Sequence, residues 1–548
     1  MCNHTAESHC EPIATPDSWP AVDNDWLSAV GNDRVSTVDS HDHPLVALVM
    51  KGTTQLFRRF LSLLGPKLIT TILAVVSTPV IVRLLGPASY GDYAVLLSVY
   101  SLYMIPISAA ITEGVQKFLA EERDTEAWIE RVLQFYLGVA LLLALVGSGV
   151  LLVVTDLGVA ERVGEGFTRY FYLLSGFVFV GQFRALSMHS LLGFGFEQVK
   201  GPLGVLKKGL TVGVGIGLVA GGLGVVGMLL GHIVANALTA IIAGAVILRR
   251  ISLRELFSLP DSLPYREFLS FNGLNIVLVL LVMSLFHVDV IMVRTLVGDE
   301  ATGYYKAALS LAEYIWIVPI VLQGLLLHSS STLWSENRYD ELSALAGRIT
   351  RYTALLVVLM AIGLGTLADR VVPLYYGEPF AVATTPLLLL LPGAVGFAVA
   401  RPLQAICLGS GLLRVLIAAV GVAAALNVGL NAALIPLFGM NGAATATSVA
   451  YGSMFVLLVW ASRRLGYDPV ADLRAARIGL TGALAGGVIV GTSRLIDADF
   501  LALGVVPVVG LGTFSLLAIS LGAVDTDEVV EILAKLPLPT RVTALLPG

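Results

Sequence analysis

Charged side chains are scarce in this sequence. Of its 548 residues, 13% are Asp, Glu, Lys or Arg, whereas 56% are hydrophobic, and the mean hydropathy is +0.84. In ordinary soluble domains about a quarter of the residues are charged. The scarcity of charge therefore excludes a soluble globular protein.

Signatures of metal, nucleotide and nucleic-acid chemistry are also missing. The three cysteines, Cys2, Cys10 and Cys407, have no metal-ligand spacing, and we expect Cys407 to be a small buried hydrophobe in an apolar stretch. No GxxxxGK[ST] pattern occurs, which excludes nucleotide hydrolysis by a P-loop. The net charge of −5 is small for this length and predicts no nucleic-acid partner. We therefore expect no cofactor.

What the sequence does contain is about fourteen apolar stretches of roughly bilayer length. A hydrocarbon core about 30 Å thick needs about 20 apolar residues per helix. Backbone groups in lipid must be satisfied within each segment, so we predict an all-α polytopic membrane protein. The predicted spans are 60–82, 91–112, 132–154, 168–191, 204–220, 224–247, 268–293, 305–327, 352–368, 383–408, 413–436, 442–462, 477–495 and 500–521.

Basic residues predict the orientation of these spans. With the N-terminus in the cytoplasm, 18 basic residues fall on loops and span ends that face inward, and 7 fall on the outward side. This predicts a multi-pass protein of the cell membrane with both termini cytoplasmic. Residues 1–55 are polar without helical period and are predicted to be a disordered extension. Residues 525–548 are predicted to be a cytoplasmic tail, in which 525–541 form a surface-lying helix.

The chain also repeats itself. Val82–Leu85 and Tyr90–Tyr93 are echoed about 211 residues later by Val293–Leu296 and Gly303–Tyr305. A second pair of segments lies 215 residues apart: Gly224–Gly227 and Gly439–Gly442. Six spans separate the copies, which predicts two lobes related by an axis along the membrane normal. The predicted lobes are 56–250 and 251–465, and residues 466–524 add spans 13 and 14. Two facing six-helix lobes are typical of an alternating-access transporter.

These motifs, in their order and spacing, resemble the polysaccharide flippases of the multidrug/oligosaccharidyl-lipid/polysaccharide exporter superfamily. The carrying segments are Arg83–Gly86 with Tyr90–Tyr93, His287–Met292, Gly303–Ala308, Asn427–Asn431 with Leu434–Pro436, and Gly439–Ala444. The resemblance covers spans 1–12. It implies flipping of a polyprenyl-linked oligosaccharide from the inner to the outer leaflet, for cell-surface polysaccharide or glycoprotein assembly. It also implies contact with membrane lipids and with glycosyltransferase or polymerase partners.

Ionisable residues within the spans are the candidates for the substrate site, because a charge near the bilayer centre is costly unless it faces a cavity or a partner. Lys67, Arg184 and Arg401 are such residues, and the two arginines hold near-equivalent positions in the repeat. They would grip the phosphates of a lipid-linked substrate. The alternative is that each side chain reaches the headgroups or caps a helix. Gln404 is a further candidate, with interhelical hydrogen bonding as its alternative.

Asp289, Arg294 and Glu313 are the candidates for ion coupling or gating. A carboxylate at Asp289 or Glu313 would bind H⁺ or Na⁺ during turnover. Alternatively, Asp289 forms an ion pair with Arg294 or Lys306 that closes the outer gate.

No bond is made or broken in the predicted activity, so we do not expect an enzyme. The first alternative function is an ion-coupled drug or cation antiporter of the same superfamily, whose cavity should be more acidic and apolar. The second is a non-transporting membrane scaffold for glycan-assembly enzymes, whose cavity would need no buried charge.

Overall fold

The computed structural model describes residues 44–121, 123, 127–164, 166–252, 254, 268 and 273–528. Side chains are described from residue 65 onward, except at positions 110, 273–275, 325 and 328. The predicted disordered extension 1–55, apart from the helical backbone from Pro44, lies outside the described residues, as does the tail beyond residue 528. The chain divides into Met1–Arg59 and Phe60–Gly548, and all that follows concerns the second unit.

The described residues form helices and turns, with no strand among them. The N half contains α1 (Pro44–Ala120), α2 (Trp128–Asp156), α3 (Val159–Val163), α4 (Phe167–Gly193), α5 (Glu197–Leu218) and α6 (Gly224–Leu248). The C half contains α7 (Gly273–Leu296), α8 (Asp299–Glu313), α9 (Ile317–Ser335), α10 (Tyr339–Thr366), α11 (Ala368–Tyr376), α12 (Thr384–Gly409) and α13 (Leu413–Arg464). Two further helices, α14 (Ala475–Arg494) and α15 (Asp499–Ser520), pack on each other and on α10.

Eleven helices in the described residues are long and apolar enough to cross a membrane, so the predicted number of fourteen is not confirmed as such. Three of the eleven contain a point where the backbone leaves helical geometry, at Gly86, Gly222 and Gly439. Each point falls between two predicted spans. The sequence therefore placed the reversals correctly, although the backbone turns there within a nearly continuous helix.

The glycines of the repeat have matching backbone geometry. Gly224 has φ 50° and ψ −133°, and Gly439 has φ 58° and ψ −137°. Side chains with a Cβ rarely adopt such angles, so each copy needs glycine at this turn. The second repeated glycines, Gly227 and Gly442, both lie against the backbone of the helix before the turn, where an added Cβ would collide. The repeated sequences therefore fold into the same helix–turn–helix unit.

Polar contacts between distant loops agree with the predicted alternation of sides. Arg370 donates a hydrogen bond to the Ser493 carbonyl at 3.1 Å. Arg370 lies in a predicted outer loop, and Ser493 lies at the predicted outer end of span 13. At the predicted inner side, the fully buried Arg351 pairs with Asp472 at 2.8 Å and with Glu528. These contacts tie α14, α15 and the segment after them to the C half. They do not distinguish which side faces the cytoplasm, so the orientation remains a prediction.

The described hydrophobic core consists of one large cluster that both halves share and two smaller clusters. One cluster joins both halves at the predicted outer end, where residues such as Tyr90, Phe171 and Phe380 are buried together. Towards the predicted inner end, α1, α2, α4 and α6 enclose a separate cluster, and α9, α10 and α12 enclose another. The two halves thus share the first cluster, and each half has a smaller cluster of its own towards its predicted inner end. Cys407 is fully buried, as expected for a small apolar side chain.

Candidate functional site

A cavity of about 310 Å³ lies between the two halves. The N half contributes an aromatic wall of Tyr90, Tyr93, Tyr100 and Phe177, in which Tyr100 and Phe177 stack with ring centroids 3.7 Å apart. Both halves also contribute basic side chains to the lining, which are Lys207, His232, His287 and Lys306. No described residue lining the cavity is acidic. The cavity is therefore suited to a polar, anionic group rather than to a cation.

Hydrogen bonds fix the two histidines of this cavity. The Tyr93 hydroxyl and His232 Nε2 are 2.8 Å apart, and His287 Nδ1 is 3.2 Å from the Ser98 hydroxyl. His232 Nδ1 is buried and has no hydrogen-bond partner. The imidazole of His232 is therefore held from one side only.

Arg184, predicted as a substrate ligand, lies beside the cavity on α4. Its charge interacts with Tyr100 and Lys207, both of which line the cavity. Its Nε is buried without a hydrogen-bond partner. A buried guanidinium of this kind has donors available for an incoming anion.

Arg401, the repeat-related candidate, has different surroundings. Its guanidinium lies over the rings of Phe397, at 4.6 Å, and Trp316, at 5.5 Å, and its Nη1 is 3.4 Å from Gln323 Oε1. Stacking on aromatic rings restricts the orientation of this side chain. Arg401 is not among the residues that line the cavity, although its charge interacts with Glu313.

The two remaining substrate candidates lie elsewhere. Lys67 is exposed near the start of the described part of α1, and Gln404 is buried on α12. Neither lines the cavity. None of the four substrate candidates is among the residues that line the cavity, and Arg184 is the one whose charge acts on lining residues.

Asp289, predicted to serve coupling or gating, is fully buried inside the C half. Its carboxylate accepts hydrogen bonds from Tyr305, from Thr447 at 3.0 Å and from the Val290 amide at 2.8 Å. Asn427 Nδ2 in turn donates to Thr447 at 3.1 Å. These contacts join α7, α8 and α13 into one buried polar cluster.

The same cluster extends along α13, where Asn431 Nδ2 donates to the Asn427 carbonyl at 2.9 Å. The side-chain oxygens of Asn427 and Asn431 are both buried without a hydrogen-bond partner. Buried polar atoms are rarely left unpaired, so these oxygens are candidate ligands for a cation or a water.

Arg294 does not pair with Asp289, which was one of the two roles considered for this residue. Five residues on a helix correspond to a rotation of roughly 140°, so the two side chains face in different directions. Arg294 pairs instead with Asp92 of the N half, at 3.0 Å, and lies 5.3 Å from the centroid of the Phe167 ring. Both partners are largely buried, with 12% and 14% of their side-chain surface exposed. This ion pair connects the halves at the predicted outer end.

Beside this ion pair, α1 and α8 cross at the repeat-related Gly91 and Gly303. An added Cβ at Gly91 would overlap the Asp299 carbonyl, and one at Gly303 would overlap the Pro87 carbonyl. Only glycine permits this approach of two backbones. Arg83 also donates to the Leu374 carbonyl across the halves. The predicted outer end of the cavity is therefore closed.

Glu313, the second coupling candidate, is half-buried at the end of α8. The charges that act on it are those of Lys306, Asp289 and Arg401. Among the described side chains, none forms an ion pair within 4 Å or a hydrogen bond with its carboxylate. Glu313 thus lies between the cavity lysine, the buried aspartate and the stacked arginine.

Sequence reasoning missed four basic residues of the cavity: Lys207, His232, His287 and Lys306. Lys207 lies near the start of predicted span 5 and Lys306 at the outer end of predicted span 8, where they count towards the orientation rather than as substrate ligands. An ionisable residue within a membrane span indicates a possible functional site. His232, in the middle of predicted span 6, is such a residue. That these side chains meet across two halves is a property of the tertiary structure.

A hydrogen-bonded pair in each half follows the repeat. Tyr93 and His232 in the N half correspond to Tyr305 and Thr447 in the C half, at separations of 212 and 215 residues. The hydroxyl–imidazole distance is 2.8 Å and the hydroxyl–hydroxyl distance is 3.0 Å. The C half adds the carboxylate of Asp289, whose N-half equivalent is Thr78. The two hydrogen-bonded pairs therefore hold equivalent positions in the repeat. They differ in charge, because the C-half pair has Asp289 beside it where the N half has Thr78.

Comparisons with known proteins agree with this architecture. A family model described as polysaccharide biosynthesis protein matches residues 56–322, slightly less than half of the chain. The chain is similar to the lipid II flippase MurJ in an inward closed conformation, with a TM-score of 0.70 and 13% identity. This match covers 83% of this chain and 97% of MurJ. A search of curated protein sequences finds no match.

Two further solved structures share the fold. One is a multidrug resistance MATE family transporter of the MOP superfamily in an inward-facing conformation, with a TM-score of 0.63 and 17% identity over 72% of this chain and 94% of that chain. The other is a MOP superfamily transporter from Pyrococcus furiosus whose binding pocket has reverse polarity, with a TM-score of 0.55 and 18% identity over 74% and 95% of the two chains. At these identities the similarity shows the fold.

These findings confirm the predicted resemblance and the all-α polytopic fold. The prediction of a transport protein rather than an enzyme agrees with the family model and with the flippase and transporters that share the fold.

Proposed function

We propose that this protein is a flippase that moves a lipid-linked oligosaccharide with an anionic headgroup across the membrane by alternating access. The observation that carries the proposal is the cavity between the halves, which has four basic side chains and no acidic one in its lining. The closed predicted outer end and the separate inner cores support a state that receives substrate from the predicted cytoplasmic leaflet. The substrate would then leave when the Asp92–Arg294 closure opens.

The headgroup binds through its phosphates. Lys207 and Lys306 approach the cavity from opposite halves and provide point charges, while Arg184 provides a planar donor group beside them. The aromatic wall of Tyr90, Tyr93 and Tyr100 offers flat surfaces and hydroxyl groups to the sugars. Lys67, Arg401 and Gln404 remain proposed ligands for parts of the substrate beyond the cavity.

The lipid tail has a separate place. An apolar cavity of about 420 Å³ lies between α8 and α10 on one side and α14 and α15 on the other, and Leu311, Met360, Ile489 and Val506 are among its lining residues. Tyr314 also lines it and follows directly on Glu313 in the chain, near the polar cavity. A prenyl chain that extends from the polar cavity would bury apolar surface in this groove.

Coupling to H⁺ or Na⁺ is assigned to the Asp289 cluster. A buried carboxylate with two hydroxyls and two unpaired amide oxygens nearby offers oxygen ligands to a hard cation or a site for a proton. Glu313 is the second candidate, because it lies between this cluster and the cavity lysine Lys306. The two carboxylates would relay ion binding to the substrate site.

The drug or cation antiporter is the competing function, and it shares the fold. A cavity that binds organic cations should present carboxylates, whereas Asp289 is bonded inside the C half and does not line this cavity. A scaffold without transport would have no reason to keep lysines between two halves, because unpaired charge at this depth is costly.

The test is a flipping assay in proteoliposomes with a fluorescent prenyl-diphosphate-linked oligosaccharide. The double variant Lys207→Gln/Lys306→Gln should lower the flipping rate at least about tenfold, because each lost charge-assisted hydrogen bond is worth about 1.5–3 kcal/mol. Arg348→Gln is the control for loss of a positive charge, since Arg348 is exposed on α10 and does not line the cavity. Wild-type flipping by the double variant, or transport of an organic cation in its place, would contradict the proposal.

A further inference from the structure

The N-half pair Tyr93–His232 lacks the acidic member that its C-half counterpart has. In the C half, Tyr305 and Thr447 both donate hydrogen bonds to the carboxylate of Asp289. The equivalent N-half position is Thr78, whose hydroxyl donates to the Ala74 carbonyl of its own helix at 2.7 Å. At the position equivalent to Asp289, the N-half pair therefore has a neutral hydroxyl, and no described residue lining the cavity is acidic.

Positive charge surrounds this pair from several elements. On α5, Lys207 and Lys208 are the charged side chains that act on His232. Across the cavity, α7 contributes His287 and α8 contributes Lys306. The remaining ring contacts of His232 are Tyr93 on α1 and Phe177 on α4, with centroids 6.0 Å and 5.0 Å away. None of the described residues that line the cavity would supply a counter-charge to an imidazolium at this position.

A bound anionic headgroup would supply that counter-charge. Resting on the proposed function, we infer that His232 takes up a proton when the phosphates of the substrate enter the cavity, so that headgroup binding and protonation of the N half are coupled. An unperturbed histidine changes its charge near neutral pH, whereas burial and the adjacent Lys207 and Lys208 oppose a charge on His232 until an anion is bound. Because the coupling is a free energy between two ligands, the proton favours the headgroup as much as the headgroup favours the proton.

The hydrogen bond between His232 and Tyr93 makes the protonation of His232 felt by the ligand, while the proton itself stays on the imidazole. When the neutral ring has its hydrogen on Nδ1, the Tyr93 hydroxyl donates to His232 Nε2. In the imidazolium, Nε2–H donates to the Tyr93 oxygen instead, and the phenolic O–H is then free to donate into the cavity that Tyr93 lines. The pair thus gains a donor aimed at a phosphate oxygen in the charged state. In the C half, the same tyrosine position donates permanently to Asp289. The two halves would consequently bind opposite charges, an anion in the N half and a cation or proton in the C half.

Calorimetric proton counting tests this inference. The full-length protein in detergent is titrated with geranyl diphosphate in two buffers of different ionisation enthalpy at the same pH near 6.5. The difference in heat gives the number of protons taken up per ligand bound. Any protons that the ligand itself binds or releases are the same for every variant. The number to compare is therefore the difference in proton uptake between wild type and each variant. Wild type should exceed His232→Gln by up to one proton.

His189→Gln is the matched control, because it removes a histidine of α4 that does not line the cavity. It should retain the uptake of wild type, and Tyr93→Phe should retain uptake while binding the ligand about tenfold more weakly. If His232→Gln does not fold, judged by gel filtration, His232→Asn replaces it. Equal uptake by wild type and the His232 variant would overturn the inference alone. A wild type that does not bind the diphosphate would overturn the proposed function as well.

Discussion

Asp289 and Glu313 illustrate how the surroundings of a residue, rather than its type, decide its role. Both are intramembrane carboxylates in the C half, and both were candidates for coupling. Asp289 accepts three hydrogen bonds within a closed cluster, whereas Glu313 is half-buried and subject to the charges of Lys306 and Arg401. Sequence spacing placed both in the membrane, but it could not tell which one had hydroxyl partners from α8 and α13.

We predict that Asp289→Asn abolishes the dependence of flipping on an ion gradient. The amide has nearly the same shape but neither binds a proton nor neutralises a cation, so the rates with and without a pH or Na⁺ gradient should become equal. Glu313→Gln should slow turnover while keeping part of the gradient response. The measurement is flipping in proteoliposomes under imposed gradients, with Asn441→Asp, a neutral residue at the predicted outer turn of α13, as a charge control. Full gradient dependence in Asp289→Asn would move the coupling site elsewhere.

At the scale of helices, glycines were the most reliable sequence signal. The repeated glycine segments predicted two equivalent turns, and Gly224 and Gly439 have the same backbone geometry to within a few degrees. Polar residues were less informative about the structure than glycines. A helix contains several of them, and the tertiary fold decides which one faces a cavity. Lys207 was visible in the sequence, yet Lys306 and His287, its counterparts across the cavity, come from helices about 80 to 100 residues further along the chain.

The crossing of α1 and α8 gives a prediction at this scale. Gly303→Val would force the two backbones apart, since even a Cβ overlaps the Pro87 carbonyl, and the closure at the predicted outer end should loosen. A Ser101→Cys reporter in the cavity should then react several-fold faster with an impermeant thiol reagent added from the predicted outer side. Cys2 and Cys10 are replaced by Ser in all variants.

The control for this substitution is Gly138→Val. Gly138 is exposed on α2 and has no neighbour within 4 Å of an added Cβ, so it should leave the reporter unchanged. If Gly303→Val leaves the reporter as slow as in the parent protein, the glycine crossing does not control access from that side.

For the whole molecule, the fold class followed from composition, because bilayer-length apolar segments leave helices as the solution for the backbone. The shape of the space between the halves could not be predicted from composition. It depends on which residues of the two halves share a core, and the sequence gives no reason why Tyr90, Phe171 and Phe380 are buried in the same cluster. The charge of the cavity is a property of that arrangement, and it favours an anionic substrate over the cations that a drug antiporter of the same fold would carry.

The direction of transport depends on the orientation of the whole molecule, which rests on 18 basic residues on one side against 7 on the other. Asn337, in the turn between α9 and α10, should face the cytoplasm, and Asp497, in the turn between α14 and α15, should face outward. Both side chains are exposed, so cysteines at these positions are accessible to reagents. In intact cells, Asp497→Cys should react with an impermeant thiol reagent, and Asn337→Cys should react only after the membrane is permeabilised. The opposite pattern would invert the molecule, so that the closed end faces the cytoplasm and the cavity opens outward, and the proposed flippase would then have to take up its substrate from the outer leaflet.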